Sequence, residues 1–269
     1  MEPIITEEVT PPKKEYPTIA QGFGIFGVSI VMQLVAATIL GDLIRNQPSL
    51  GMFVVYNVYL GLTILFAWKM GNKTSLAFGP FPLTLVPILI LMTPAISLLM
   101  EPIIEAIPYS KEFQEFMMGM LGENTLWIFA AVAISAPILE EILFRGIILD
   151  GFLKNYSPTK AIIWSAIIFG LVHMNPYQFI AATLIGILMG WIYWRTGSLW
   201  LCILIHFLNN SLGFFLNWIF ELPEDSMEST RGLMNNDSQY FMMLGLAGVV
   251  VVIGLFLLDR FMEKATPVA

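Results

Sequence analysis

Leu126-Trp127-Ile128-Phe129-Ala130-Ala131-Val132-Ala133-Ile134-Ser135-Ala136-Pro137-Ile138-Leu139-Glu140-Glu141-Ile142-Leu143-Phe144-Arg145-Gly146-Ile147-Ile148-Leu149 decides the fold. At about 1.5 Å per residue, a helix of this length crosses a hydrocarbon core about 30 Å thick. The stretch is apolar except for Glu140, Glu141 and Arg145 near its middle. A charged side chain at mid-helix costs about 2.5–3.5 kcal/mol on insertion scales, so two adjacent carboxylates must face a bundle interior or a wet cavity. Pro137 lacks an N–H, which predicts a kink and leaves the carbonyl of Ala133 without its helical donor.

The rest of the chain fits the same solvent. Hydrophobic residues make up 57% of the 269 positions and charged residues 12%. Ordinary globular proteins hold about 45–50% and about 25%. Eight segments read as spans: Thr18–Leu43, Leu50–Met70, Phe81–Met100, Leu126–Leu149, Thr159–His173, Tyr177–Tyr193, Ser198–Phe220 and Tyr240–Phe261. The fifth and sixth are short and meet at Met174-Asn175-Pro176-Tyr177. The expected fold is therefore an all-α, polytopic membrane helix bundle of about eight transmembrane helices. It forms a single membrane domain over residues 1–269, with no repeat or linker that marks a second one.

The first 17 residues are polar and of mixed charge, so the apolar run that follows reads as a retained span and not as a signal peptide. A cytoplasmic N-terminus puts Lys13, Lys14, Lys69, Lys73, Lys154, Lys160, Arg195, Arg260 and Lys264 on the inner side. Only Arg45, Lys111 and Arg231 fall opposite, and the outer segments are acidic: Glu101, Glu105, Glu112, Glu115 and Glu123, then Glu221, Glu224, Asp225, Glu228 and Asp237. The positive-inside rule then places both termini in the cytoplasm. A net charge of −7 argues against a nucleic-acid partner. The only cysteine, Cys202, excludes an intrachain disulfide.

Few polar groups remain at membrane depth: Glu140, Glu141, Arg145, His173, His206, Asn209 and Asn210. Glu141 and Arg145 stand at i,i+4 and form an ion pair on one helix face, while Glu140 points about 100° away. Phe169 and His173 share an i,i+4 face, as do His206 and Asn210. Counted from the cytoplasmic ends, Glu140 lies roughly 15 Å deep, His173 roughly 21 Å, His206 roughly 12 Å and Asn210 roughly 18 Å. Three different spans thus deliver one polar layer. Ser135 and Thr183 are expected to bond back to their own helices.

The motifs are Glu140-Glu141-Ile142-Leu143-Phe144-Arg145, Phe169-Gly170-Leu171-Val172-His173 and His206-Phe207-Leu208-Asn209-Asn210, or E-E-x-x-x-R, F-x-x-x-H and H-x-x-x-N. In this order, on membrane helices, they resemble the CPBP family of CAAX prenyl endopeptidases and bacteriocin-processing proteins, also called the Abi family. The resemblance covers a catalytic core at about residues 125–215. It implies a helical bundle with a conical cavity open to the cytosol, a water activated by Glu140 with His173 assisting, and an oxyanion site formed by His206 and Asn210. It gives Glu141, Arg145 and Phe169 supporting positions.

The residues allow the same chemistry, since peptide hydrolysis needs a base, a proton for the leaving amine and donors to the oxyanion. No serine or cysteine stands out as a nucleophile, which favours direct attack by water; neither a metal nor a cofactor is expected. The expected substrate is a prenylated, leader or other membrane-associated peptide, met in the lipid bilayer of a bacterial plasma membrane. Three other readings stay open. Glu140, His173 and His206 could bind zinc, although no H-E-x-x-H helix is present. The chain could be a non-catalytic membrane partner, in bacteriocin immunity or sensor-kinase regulation. Intramembrane Glu and His could also serve a proton-coupled transporter.

Overall fold

A computed structural model describes residues 14–107, 126–220, 230–232, 234 and 236–262. Nine helices account for these residues: α1 (Ile19–Ile39), α2 (Gly41–Asn46), α3 (Pro48–Met70), α4 (Leu85–Glu105), α5 (Leu126–Asn155), α6 (Pro158–Leu171), α7 (Pro176–Thr196), α8 (Leu199–Phe220) and α9 (Asp237–Met262). Among the described residues no strand forms; the sole β contact is an isolated bridge between Phe78 and Ser198. Seven helices are long and apolar enough to cross a membrane, and α6, at 14 residues, is the short eighth element. The protein is an integral, multi-pass membrane bundle. Helix α7 is longer than expected, at 21 residues, because the Asn175 side chain caps it from outside the apolar run by accepting from Gln178 N–H at 2.9 Å. Residues Glu112, Glu115, Glu123, Glu221, Glu224, Asp225 and Glu228 of the acidic outer segments, and both chain termini, lie outside the described residues.

Helix α5 is the centre of the bundle. It packs against α3, α6, α7 and α8, while α1 backs α3 and α4 pairs with α9. Its apolar window is 44% buried, against 17% for α4 and α9, which turn most of their surface outward. Two π-helical segments interrupt α5, Ala130–Ser135 and Phe144–Leu149. At the first, Ala136 N–H reaches Ala131 O, five residues back. In that wider register the carbonyl of Val132 also loses a helical donor, in addition to that of Ala133 expected from the α-helical count. Val132 O is satisfied instead by the Asn210 side-chain amide of α8 at 3.0 Å. Such bulges concentrate at functional sites, and this one lies just before Glu140.

Close approach of α6 to α7 positions the histidine that ends α6. A Cβ on Gly170 would sit 2.2 Å from Thr183 Oγ1 and 2.8 Å from Phe179 O, so only glycine permits the crossing. The Thr183 hydroxyl fills that notch and is buried without a hydrogen-bond partner among the described residues, contrary to the expected bond to its own helix. The chain then turns through Met174, at a φ of 51°, and Asn175 Nδ2 donates to His173 O at 2.9 Å. Gly170→Ala is expected to destabilise the bundle by about 1–3 kcal/mol, as overpacking generally does. Thermal unfolding in detergent measures this, and an unchanged midpoint would contradict the packing argument.

Candidate active site

Helix α5 presents its two glutamates to different neighbours. Glu141 is fully buried, and its Oε1 accepts from Arg145 Nη1 at 2.7 Å. The same oxygen lies 2.8 Å from His206 Nδ1 of α8. An ionised carboxylate only accepts hydrogen bonds, so Nδ1 carries the proton and donates. That fixes the tautomer of His206 and aims Nε2 toward Glu140, whose Oε2 lies 3.8 Å away. The sequence reading paired Glu141 with Arg145 alone; the histidine on the same oxygen is an addition from the fold.

Arg145 is 1% exposed and reaches two further helices. Its Nη2 donates to Gly186 O of α7 at 3.2 Å, and its guanidinium lies 4.5 Å from the centre of the Phe169 ring of α6. A Cβ at Gly186 would meet Arg145 Nη2 at 3.3 Å and the Phe169 ring at 3.2 Å, so glycine there makes room for both. Phe169 takes His206, His173 and Phe144 on its edges, at 5.7, 5.4 and 5.0 Å between ring centres. Phe169 therefore spaces the two histidines.

Glu140 is 8% exposed, against 0% for Glu141, so it alone of the pair retains an opening. Its Oε1 accepts from the Tyr56 hydroxyl of α3. Its Oε2 is buried without a hydrogen-bond partner among the described residues; so are Glu141 Oε2 and Arg145 Nε. Tyr56 was missed in the sequence because aromatic residues in an apolar span read as packing. A signal was present: Ser49, Tyr56 and Thr63 recur every seven residues, which places three hydroxyls on one face of α3.

The structure thus brings Glu140, Glu141, Arg145, Phe169 and His206 into one cluster. His173 adjoins it through Phe169; its Nδ1 lies 2.9 Å from Phe169 O, which leaves Nε2 available. Among the described residues no hydrogen bond joins His173 to either glutamate. Asn210 uses one amide hydrogen on Val132 O and accepts from Asn209 Nδ2 at 3.1 Å, leaving its second hydrogen for another acceptor. No three histidine, cysteine, aspartate or glutamate side chains converge as metal ligands among the described residues, so this geometry lends the zinc reading no support.

A cavity of about 920 Å³ opens at the other end of α5, lined in part by Lys73, Asp150, Lys154, Leu76 and Ile147. This is the end that charge bias assigns to the cytoplasm. Ile147 lies two turns along α5 from Glu140, about 10 Å.

Comparisons with known proteins agree with the motifs. Residues 122–212 match the family model described as type II CAAX prenyl endopeptidase Rce1-like. The chain is 31% identical over 117 residues to a Bacillus subtilis (strain 168) protein named "Putative membrane peptidase YdiL". That alignment covers 40% of this chain, and the chain spans about half the length of that relative, 48%. No solved structure matches the chain.

Removing one member of a buried ion pair costs about 3–5 kcal/mol, because the other charge is left uncompensated. Arg145→Met is expected to destabilise by that order. Glu141→Gln combined with Arg145→Met should recover part of the loss. Equal melting curves in detergent for the single and double variants would contradict a coupled pair.

Proposed function

We propose, from the match of residues 122–212 to the Rce1-like CAAX prenyl endopeptidase family model, that the chain is an intramembrane endopeptidase in which Glu140 activates water. One observation carries the proposal: within the matched segment, the buried Glu140 carboxylate keeps one oxygen unpartnered among the described residues, beside a histidine nitrogen of fixed orientation. The attacking water gives its proton to Glu140 Oε2 as its oxygen bonds to the peptide carbonyl carbon. The same proton then passes to the leaving amine, and the C–N bond breaks, restoring the carboxylate.

His206 Nε2 and the second amide hydrogen of Asn210 serve the oxyanion. Because Nδ1 already donates to Glu141, Nε2 donates only when the ring carries both protons. His173, through its free Nε2, assists the water. The substrate is a peptide of a membrane-associated, prenylated or leader-bearing protein, cleaved in a bacterial plasma membrane.

Glu140→Gln should abolish cleavage and leave a folded, membrane-inserted protein. N-terminal proteomics of cells carrying the wild type or the variant reads the outcome as new N-termini present only with the wild type. Identical N-terminal profiles would sink the assignment of Glu140 as base. Full complementation by both Glu140→Ala and His173→Ala would favour a non-catalytic membrane partner. Loss of cleavage to a chelator, restored by zinc, would favour the metal-dependent alternative.

A further inference from the structure

We propose that Tyr56 is a positioning residue for this reaction, selecting which oxygen of Glu140 acts as the base. The proposal rests on the proteolytic reading above and adds a residue from α3, outside the matched segment 122–212.

The two Glu140 oxygens are inequivalent. The Tyr56 hydroxyl donates to Oε1, while Oε2 has no hydrogen-bond partner among the described residues and faces His206 Nε2. A free carboxylate rotates and offers either oxygen; a hydrogen bond on one of them removes that freedom. Hydrogen bonds to charged groups are among the stronger ones, and they hold orientation as well as charge. With Oε1 held, the proton taken from water goes to Oε2, the atom nearest the histidine.

Tyr56 is itself held in place. Its ring meets the Tyr59 ring edge-on, with centres 5.4 Å apart and planes at 81°. Helix α3 packs along α5 over its first π-helical segment and over the following turns that bear Glu140. The groups around the Glu140 carboxylate are thus Tyr56 and, within electrostatic reach, Tyr59 from α3, His206 from α8, and Glu141 with its partner Arg145 on α5 itself. Arg145 is committed to Glu141, Gly186 and Phe169. Tyr56 is therefore the one direct hydrogen-bond donor to Glu140 among the described residues.

Tyr56→Phe keeps the ring and deletes the hydroxyl. The assay uses detergent-purified, monodisperse protein and an internally quenched peptide spanning a site that wild-type and Glu140→Gln cells distinguish. The expected result is a kcat lower by about 10- to 100-fold, the range for losing a hydrogen bond to a charged group. KM should be unchanged, the thermal midpoint should fall by no more than one lost hydrogen bond explains, leaving the protein folded at the assay temperature, and Tyr59→Phe should leave kcat within about twofold. A normal kcat in Tyr56→Phe overturns the proposal, as does a loss that tracks KM or that vanishes when kcat is referred to the folded fraction.

A second readout needs no substrate. The infrared carboxyl band that disappears in Glu140→Gln should change frequency in Tyr56→Phe, and an unmoved band also overturns the proposal. If Glu140→Gln itself cleaves normally, the functional reading has failed. If only Tyr56→Phe cleaves normally, the tyrosine assignment alone has failed.

Discussion

The bundle's polar interior depends on a single carboxylate oxygen. Glu141 Oε1 takes a hydrogen bond from Arg145 on its own helix and one from His206 on α8. Lipid supplies no replacement donors or acceptors, so these groups must compensate one another within the protein. The consequences spread through Arg145, which continues to the Gly186 carbonyl of α7 and the Phe169 face of α6. One ion pair therefore sets the spacing of four helices. It also fixes the histidine ring whose other nitrogen faces Glu140. Tetherings of this kind contribute little net stability compared with an apolar core, yet they strongly disfavour any arrangement that separates the partners.

The backbone around this cluster follows a second constraint. Pro137 cannot donate, and the helix before it widens so that each N–H reaches five residues back. The carbonyl left over, Val132 O, is met by an asparagine side chain from α8. A buried carbonyl without a partner is costly, so α8 must lie where Asn210 reaches it. The same helix carries His206 one turn earlier. The proline on α5 and the ion pair on α5 thus impose two separate distance conditions on α8, and together they fix its depth as well as its rotation.

Much of this was legible in the sequence. Span count and polarity follow from run length and composition, and the Glu141–Arg145 pair follows from i,i+4 spacing, because both partners share one helix. The three motifs marked the segment that the family comparison also matches. The parts that were not legible involve contacts between helices or a change of helical register. The freed carbonyl of Val132 went unforeseen because the count assumed four-residue hydrogen bonds. His206 on Glu141 and Tyr56 on Glu140 depend on helix rotation, which an apolar span leaves almost unspecified. For Thr183, a local rule that hydroxyls bond back to the helix failed because Gly170 lets α6 close over the side chain.

The two adjacent glutamates, alike in sequence, end in different physical states. Glu141 is sealed, with two cationic or polar donors on one oxygen and a guanidinium at contact distance. Glu140 is left with a single neutral donor and a small opening, and each glutamate keeps one buried oxygen, its Oε2, without a hydrogen-bond partner among the described residues. Buried acceptors without partners are uncommon in folded proteins, and each calls for a reason. Packing does not provide one here, since a glutamine or leucine would fill the same space without a charge. The proposed function does: on that reading, an oxygen that is to accept a proton from water is kept free of competing donors, while the rest of its carboxylate is held still. On the proposed function, Glu141 bears the structural role and leaves Glu140 free for the chemical one.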